Sequence, residues 1–436
     1  MRSLLKITLF IFLAELLLSV ITPLTYPGAY QLYAYVLHCL IFGLFYFGYK
    51  SRKRITSPIT SNRGQKQSEE KVKLRSLWLL TLITFIFVSL YINFYTGNSI
   101  LTVFSSLLLN QTGAESLYYT YQRHFADNQL ATFSLEKLPY IIIYPILKLG
   151  FYCVTLHLIS HRQMSKKVVI PVTILFLLFL TIGLARGTSL ELFELACFLM
   201  FCVVFAFQKN PDKKSRRKLV LLSLLPILAY LLFDHFKAMR YEDGIIVTST
   251  EGETFVLDQG SFLANNFPWL FNVLRSLSSY FMFGFYYISH CFNDLWLQSI
   301  EGFISLLVPM GTPIFFSADN TKELLDGTYI NFGVRWVPDI VLLIERFGLI
   351  FSLTFIYLLG KFTHVLDDKF RKSDNTIYVC MLFFILVQMA SFSVGNFISS
   401  SSSNILMVIL CVFLVFNPSW YRRLERMFFH EKDNRF

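Results

Sequence analysis

Long apolar runs separated by short basic segments limit how this chain can fold more than any other feature. A helix needs roughly 20 mainly apolar residues to cross a bilayer. Runs of about that length lie at residues 5–23, 31–49, 76–95, 138–159, 168–184, 190–207, 219–236, 340–359, 376–394 and 401–416. Only 15% of the 436 residues are charged, whereas a soluble domain has roughly 25%. The sequence therefore excludes a soluble enzyme, a secreted domain and a fibre. It predicts an all-α polytopic integral membrane protein, a single membrane domain over 1–436 with about 10 transmembrane helices.

The positive residues predict the orientation of these spans. Of the 39 Lys and Arg residues, 29 fall in segments that a ten-span arrangement places on one side, at 2–6, 50–75, 162–167, 209–218, 361–372 and 422–435. The positive-inside rule makes that side the cytoplasm, with both termini inside. The net charge of +11 therefore indicates cytoplasmic loops and no nucleic acid. Residues 50–75 form a cytoplasmic linker and 417–436 a cytoplasmic tail. The first run lacks a small-x-small cleavage site, so we expect an uncleaved anchor.

Two segments, 96–137 and 237–339, are predicted to face outward. The longer one contains 5 basic and 11 acidic residues. Its aromatic stretch at 267–309 is interrupted by Arg275, Asp294 and Glu301, which disfavours a full span and favours interfacial or re-entrant helices. Loops of this length usually carry function.

Three arginines are predicted to lie at the outer rim, where positive residues should be depleted. Arg186 lies in GLARGTS, Arg240 in HFKAMRYEDG and Arg335 in INFGVRWVPD. The guanidinium fork matches phosphate oxygens, so the functional interpretation is a lipid-linked phosphate at this depth. The alternative is that each arginine snorkels or pairs with a nearby acid. For Arg186 the anion interpretation is favoured, because the turn from Gly183 to Gly187 is expected to expose backbone amides beside it.

Several charged residues fall inside the spans, where a charge costs at least ~2.5 kcal/mol and so pairs or faces a wet cavity. Glu191 and Glu194 are three residues apart and share a helix face, and Lys148 is the nearest candidate cation for one of them. Either they form a structural ion pair, or, with Glu345, they line a polar cavity beneath Arg186. No metal site is predicted: the seven cysteines contain no C-x-x-C, and neither an outer D-x-D nor an H-E-x-x-H occurs.

These segments resemble the O-antigen polymerase (Wzy) family of bacterial inner membranes. The resemblance is carried by TIGLARGTSLELFELACFLMF, by HFKAMRYEDG and by GTYINFGVRWVPDIVLLIERFGLIFSLTFIYLLG, together with the number of spans and the long outer loop. It implies a GT-C-type glycosyltransferase without a cofactor. Such an enzyme transfers a glycan from undecaprenyl pyrophosphate to the terminal sugar hydroxyl of another lipid-linked repeat unit, at the periplasmic face. A chain-length regulator and a flippase are partners that the family implies.

The resemblance assigns roles to the residues identified above. Arg186, Arg240 and Arg335 would stabilise the leaving pyrophosphate. Asp339 and His290 are both candidates for the general base, and the sequence leaves both open. Aromatic residues of the long loop, including Phe267, Trp269 and Tyr287, suit stacking on sugars or burial at the membrane interface.

Two other functions stay open. An O-antigen ligase of the same superfamily usually has a His-Asn pair in its large outer loop, and this chain has no His-Asn dipeptide. A flippase or transporter of the same lipid-linked sugar would also need rim cations, but the chain shows no inverted repeat and has one large outer loop.

Overall fold

The structure is a computed structural model. It describes residues 2–21, 30–51, 73–108, 117–209, 265–277, 283–307, 338–395 and 401–429, apart from residues 131, 133, 162, 164, 189, 374 and 394 within them. The predicted span at 219–236 lies outside the described residues, as do Arg240 and Arg335.

The regular elements of the described residues are helices. They are α1 (Arg2–Ile21), α2 (Gln31–Lys50), α3 (Leu74–Thr96), α4 (Ile100–Leu108), α5 (Leu117–Asp127), α6 (Leu138–Ser160), α7 (Lys166–Arg186), α8 (Leu190–Lys209), α9 (Pro268–Leu277), α10 (Phe283–His290), α11 (Ile300–Leu307), α12 (Asp339–Ser373), α13 (Thr376–Ser391), α14 (Ser402–Phe416) and α15 (Pro418–Phe428). A 3-10 turn at Leu135–Lys137 precedes α6, and a π-helical turn at Cys291–Trp296 follows α10.

Five of these helices are long and apolar enough to cross a membrane, or six if the bent pair α14 and α15 counts as one span. The five are Gln31–Lys50, Leu74–Thr96, Leu135–Ser160, Lys166–Arg186 and Asp339–Ser373. At 1.5 Å per residue, 20 residues cover about 30 Å, the thickness of the hydrocarbon core. The protein is therefore an all-α, membrane-embedded protein.

The described helices group into two compact units. The first unit contains those within Met1–Arg54, Ile245–Asp368 and Phe384–Ser400. In it, α2 and α12 approach closely through glycines: a Cβ added at Gly48 would overlap the Tyr357 carbonyl, and one at Gly360 would overlap that of Phe45. Gly348 interrupts α12 with φ 79° and ψ 162°, a backbone conformation that only glycine adopts readily.

The second unit contains the helices within Ile55–Gly244, Lys369–Phe383 and Ser401–Phe436. Its central element is α6, the most deeply buried of the five candidate spans, which packs against α3, α7, α8 and α14. Because α6 is surrounded on several sides, polar side chains on it must find partners inside the unit. Part of the candidate site is therefore built from the polar residues of α6 and their partners.

The structure adds helices to segments that the sequence analysis left as loops. The segment 96–137, predicted to face outward, contains α4 and α5, and the start of the predicted tail contains α15. The stretch at 267–307 contains only short described helices, α9 to α11, of 10, 8 and 8 residues. None of these three described helices is by itself long enough to cross a bilayer.

Candidate functional site

The turn between α7 and α8 is a helix C-cap that fixes the position of Arg186. Gly187 has φ +58° and ends α7 in the left-handed conformation. The Gly187 amide donates to the Leu184 carbonyl (3.0 Å) and the Thr188 amide donates to the Gly183 carbonyl (2.9 Å), the pair of hydrogen bonds that defines a Schellman motif. The expectation that this turn exposes backbone amides to an anion is wrong for these two, because the motif uses both amides to close the helix.

Arg186 is held on two sides. Its Nη1 lies 2.7 Å from Oε1 of Glu191, and its Nη2 donates to the Tyr121 hydroxyl over 3.5 Å. The guanidinium carbon also lies 5.3 Å from the centre of the Tyr121 ring. The other carboxylate oxygen of Glu191 accepts from the Thr188 hydroxyl (2.8 Å). The Arg186 side chain stays 26% exposed while that of Glu191 is 5% exposed. An arginine has five N–H donors, so the guanidinium keeps donors for a ligand.

Close packing supports this turn. A Cβ at Gly183 would lie 2.9 Å from Cβ of Glu191, and one at Gly187 would lie 2.9 Å from Cβ of Tyr118 on α5. Neither position has room for a side chain. The two glycines therefore let α8 and α5 approach the end of α7, which brings Glu191 to Arg186.

Lys148 on α6 forms the second ion pair, with Glu194. The distance from its Nζ to Oε2 of Glu194 is 2.5 Å, and the side chains are 2% and 1% exposed. Lys148 also donates to the Tyr144 hydroxyl (3.2 Å), and the Tyr152 hydroxyl donates to Oε1 of Glu194 (2.5 Å). The sequence expectation that Lys148 pairs with one of the two carboxylates of α8 is met. Both charges are buried and paired. Lys148 and Glu194 therefore form a structural ion pair and do not line an open cavity.

A cluster of tyrosines lies beside the ion pairs, at the neighbouring ends of α3 and α6. The Tyr91 ring stacks on Tyr144 with centroids 5.3 Å apart, and its centroid lies 4.6 Å from that of Tyr95. Tyr140 follows at 5.8 Å from Tyr95. The tyrosine cluster thus continues the hydrogen-bonded group around Lys148 toward less buried positions.

The first unit contains the two candidates for the general base. Asp339, at the start of α12, is 5% exposed and its Oδ2 accepts from Nε2 of Gln388 (2.8 Å). Its backbone amide donates to the Gly395 carbonyl (2.9 Å). His290 ends α10, is 9% exposed and meets the Tyr286 ring edge-on at 4.5 Å. Both residues are therefore held by neighbours in the same unit.

Glu345 lies on α12, one turn before the interruption at Gly348. Its Oε1 is buried and has no hydrogen-bond partner among the described residues. The neighbouring Arg346 is exposed, and adjacent residues of a helix point about 100° apart. Glu345 belongs to the first unit and Lys148, Glu191 and Glu194 to the second. Within the second unit, the last three lie around one site.

The aromatic residues proposed for sugar stacking in the long outer segment differ in accessibility. Phe267 and Trp269 are exposed, whereas Tyr287 is 1% exposed. Burial raises the pKa of the Tyr287 hydroxyl above its usual range. Trp269 keeps a free surface for a ligand, while Tyr287 fills the interior of the first unit.

Sequence reasoning missed several residues that complete these sites. Tyr144, Lys148 and Tyr152 recur every four residues and so share one face of α6, a pattern that was readable in advance. In the first unit, Ser393 Oγ lies 2.7 Å from Nδ1 of His38, whose Nε2 lies 3.6 Å from Oε2 of Glu15. No spacing connects these last residues, since they come from α1, α2 and the turn that follows α13.

Comparisons with protein-family models, with curated proteins and with solved structures found no match to this chain.

Proposed function

We propose that this protein is a glycosyltransferase of the GT-C type that polymerises undecaprenyl-pyrophosphate-linked oligosaccharide repeat units at the periplasmic face of a bacterial inner membrane. The observation that carries the proposal is a partly exposed arginine at the end of a membrane helix. Arg186 is fixed by Glu191 and Tyr121 and retains donors directed to no group of the described protein. The resemblance of this turn to the polymerase family supplies the reaction.

The proposed reaction is a single displacement at the anomeric carbon of the donor glycan. The base takes the proton of the acceptor hydroxyl, and the oxygen forms a bond to that carbon. The bond from the carbon to the pyrophosphate oxygen breaks, and undecaprenyl pyrophosphate leaves with the electron pair. Charge therefore accumulates on the pyrophosphate, where fixed donors lower the barrier most.

Arg186 is the residue we assign to the leaving pyrophosphate. Glu191 neutralises the arginine before substrate binds, which reduces the cost of keeping a cation at this depth. An incoming pyrophosphate meets a guanidinium that is already oriented, so little side-chain entropy is lost on binding. Arg240 and Arg335 stay proposed helpers on the basis of the sequence alone.

Asp339 and His290 remain the two candidates for the base. The Asp339 carboxylate accepts a hydrogen bond from Gln388, which orients it, and an ionised carboxylate is a proton acceptor. His290 would take the proton on a ring nitrogen. The half-buried tyrosines at the end of α3 and the start of α6 could offer ring edges or faces to the sugars of the bound repeats.

The Lys148–Glu194 pair has a supporting role in this proposal. It joins α6 to α8 one turn from Glu191, and so fixes the helix that orients Arg186. A buried pair of this kind sets geometry rather than adding net stability.

The lipopolysaccharide pattern of a deletion strain tests the proposed function. Loss of a polymerase leaves one repeat unit per lipid core, and the wild-type gene restores the ladder while Arg186→Ala does not. A deletion strain with no repeat unit on the core would indicate a lost flippase or ligase instead.

A further inference from the structure

Helix α15 turns sharply away from α14, the apolar helix before it. The two helix axes differ by 103°. Asn417 separates the helices, and Pro418 occupies the first turn of α15, where its missing N–H does no harm. A proline cannot continue the hydrogen-bond ladder of α14, so the turn is built into the sequence. A helix at this angle to α14 would run along the membrane surface where α14 lies along the bilayer normal.

One face of α15 is fixed to the second unit. The Tyr421 hydroxyl shares a hydrogen bond with the Thr376 hydroxyl, and Oε1 of Glu425 lies 2.8 Å from Nδ1 of His157. The Lys73 amide donates to the Phe428 carbonyl over 2.7 Å. These contacts reach the start of α13, the end of α6 and the start of α3, so α15 has a defined rotation about its axis.

A neighbouring side of α15, about 100° round the helix from the docked face, presents large exposed apolar side chains. Trp420, Leu424 and Met427 are 54%, 43% and 59% exposed, and their spacing of four and three places them on one helix face. This apolar face continues a stripe of exposed apolar residues along α14, because the rings of Phe413 and Trp420 lie 6.4 Å apart. The members of that stripe are Ile405, Ile409, Phe413 and Phe416.

Exposed arginines occupy other sides of α15, and one of them borders the apolar face. Arg422, Arg423 and Arg426 are exposed, and the Arg423 guanidinium lies 5.5 Å from the centre of the Trp420 ring. Apolar residues on one side and arginines beside them are typical of helices that lie in the headgroup region. Arginine binds phosphate oxygens through paired donors.

We infer that α15 lies along the membrane surface and binds anionic phospholipid. Trp420, Leu424 and Met427 insert among the acyl chains, and the arginines bind the headgroup phosphates. The continuity of the apolar face with the stripe on α14 favours lipid over a protein partner, since the same solvent covers both helices. The positive charge selects anionic lipid over neutral lipid. This inference does not depend on the proposed enzymatic function.

Native mass spectrometry of the purified full-length protein tests the headgroup contact, with phosphatidylglycerol and phosphatidylcholine as competing probes. Each Arg near a membrane surface contributes enough that removing two lowers anionic lipid binding by roughly ten- to thirtyfold. We expect that loss for Arg422→Gln/Arg423→Gln. The matched control is Lys166→Gln/Lys167→Gln, which removes two exposed charges from the start of α7. Equal loss in the two variants, or no loss in the first, overturns the inference.

Tryptophan fluorescence tests the insertion of the apolar face. In bilayers whose acyl chains carry bromine, the emission that disappears in Trp420→Phe should be strongly quenched. It should also be blue-shifted relative to the emission of tryptophan in water. Unquenched, water-like emission from Trp420 would show that α15 stands away from the bilayer and would overturn the inference even if the arginines bind lipid.

Discussion

Arg186 and Glu191 form an ion pair across the turn from α7 to α8, with Nη1 and Oε1 2.7 Å apart. Glu191 lies five residues after Arg186, on α8, and reaches it only because Gly187 ends α7 and reverses the chain. This pairing neutralises the arginine and orients its side chain at the end of α7. It also makes the geometry of the guanidinium, in addition to its charge, available to a ligand.

Replacement of Arg186 by lysine should separate the contribution of the guanidinium geometry from that of its charge. Lysine keeps the charge but loses the paired donors of the fork, and a charge-assisted hydrogen bond contributes about 1.5–3 kcal/mol. Polymerisation should therefore slow by roughly ten- to a hundredfold, and Arg186→Ala should be slower still. The measurement is the rate of chain extension at matched protein levels.

Arg123→Lys is the control for that comparison, because Arg123 is exposed on α5 and has no proposed role. Its polymerisation rate should equal that of the wild type. If Arg186→Lys also keeps the wild-type rate and chain length, Arg186 does not bind pyrophosphate through its fork.

Much of the fold follows from the sequence, because the thickness of the bilayer sets the length of a spanning helix and therefore of its apolar run. The predicted span at 31–49 is the helix Gln31–Lys50, and that at 138–159 is Leu138–Ser160. The break at Gly348 could not be predicted, since a lone glycine is tolerated in a membrane helix. The sequence predicts a tail where the structure has α15, a helix without the long apolar run that predicts a span.

The charged residues of the two ion pairs were predictable from the sequence, but their pairing and their tyrosine partners were not. Glu191 and Glu194 share a helix face, so the sequence could not say which of them meets Lys148. The structure pairs Lys148 with Glu194 because Tyr152, one turn along α6, also reaches that carboxylate. Glu191 is left for Arg186. The Schellman motif, which uses the turn amides, requires Gly187 in the left-handed conformation. The two glycines in the sequence indicate a tight turn but do not define that conformation.

Removing one member of the buried pair should be more damaging than removing both. Lys148→Met leaves Glu194 buried and unpaired, which costs about 3–5 kcal/mol. Lys148→Met/Glu194→Leu should recover most of that loss, since an apolar pair of similar volume needs no partner. The measurement is the thermal unfolding midpoint in detergent, with the exposed Lys166→Met as control. A double variant less stable than Lys148→Met would contradict this account.

Two glycine substitutions should have opposite effects on stability. Gly187→Ala places a side chain at φ +58° and 2.9 Å from Tyr118, and a left-handed backbone alone costs about 1–2 kcal/mol for an L-residue. Gly150→Ala lies inside α6 with nothing within 4 Å of the added Cβ, and should stabilise by up to about 1 kcal/mol. Unfolding midpoints of the two variants provide the comparison. Equal midpoints would mean that the turn tolerates other conformations.

The orientation predicted from the positive residues can be tested by reporter fusions. Fusions after Arg63, Lys214 and Lys369 should report the cytoplasm, because the positive-inside rule places their segments there. Fusions near Asn110 and Asp258 should report the periplasm. A cytoplasmic signal at Asp258 would reverse the orientation and place Arg186 on the wrong side for the proposed reaction.

The most direct test of the proposed function is polymerisation by the purified protein in a defined bilayer. The protein is reconstituted with undecaprenyl-pyrophosphate-linked repeat units in the presence of excess chelator, and the products are separated by size. We expect a ladder of glycans with more than one repeat unit and release of undecaprenyl pyrophosphate, since arginine supplies the positive charge. Products of a single repeat unit only, both in chelator and after addition of magnesium or manganese, would contradict the account.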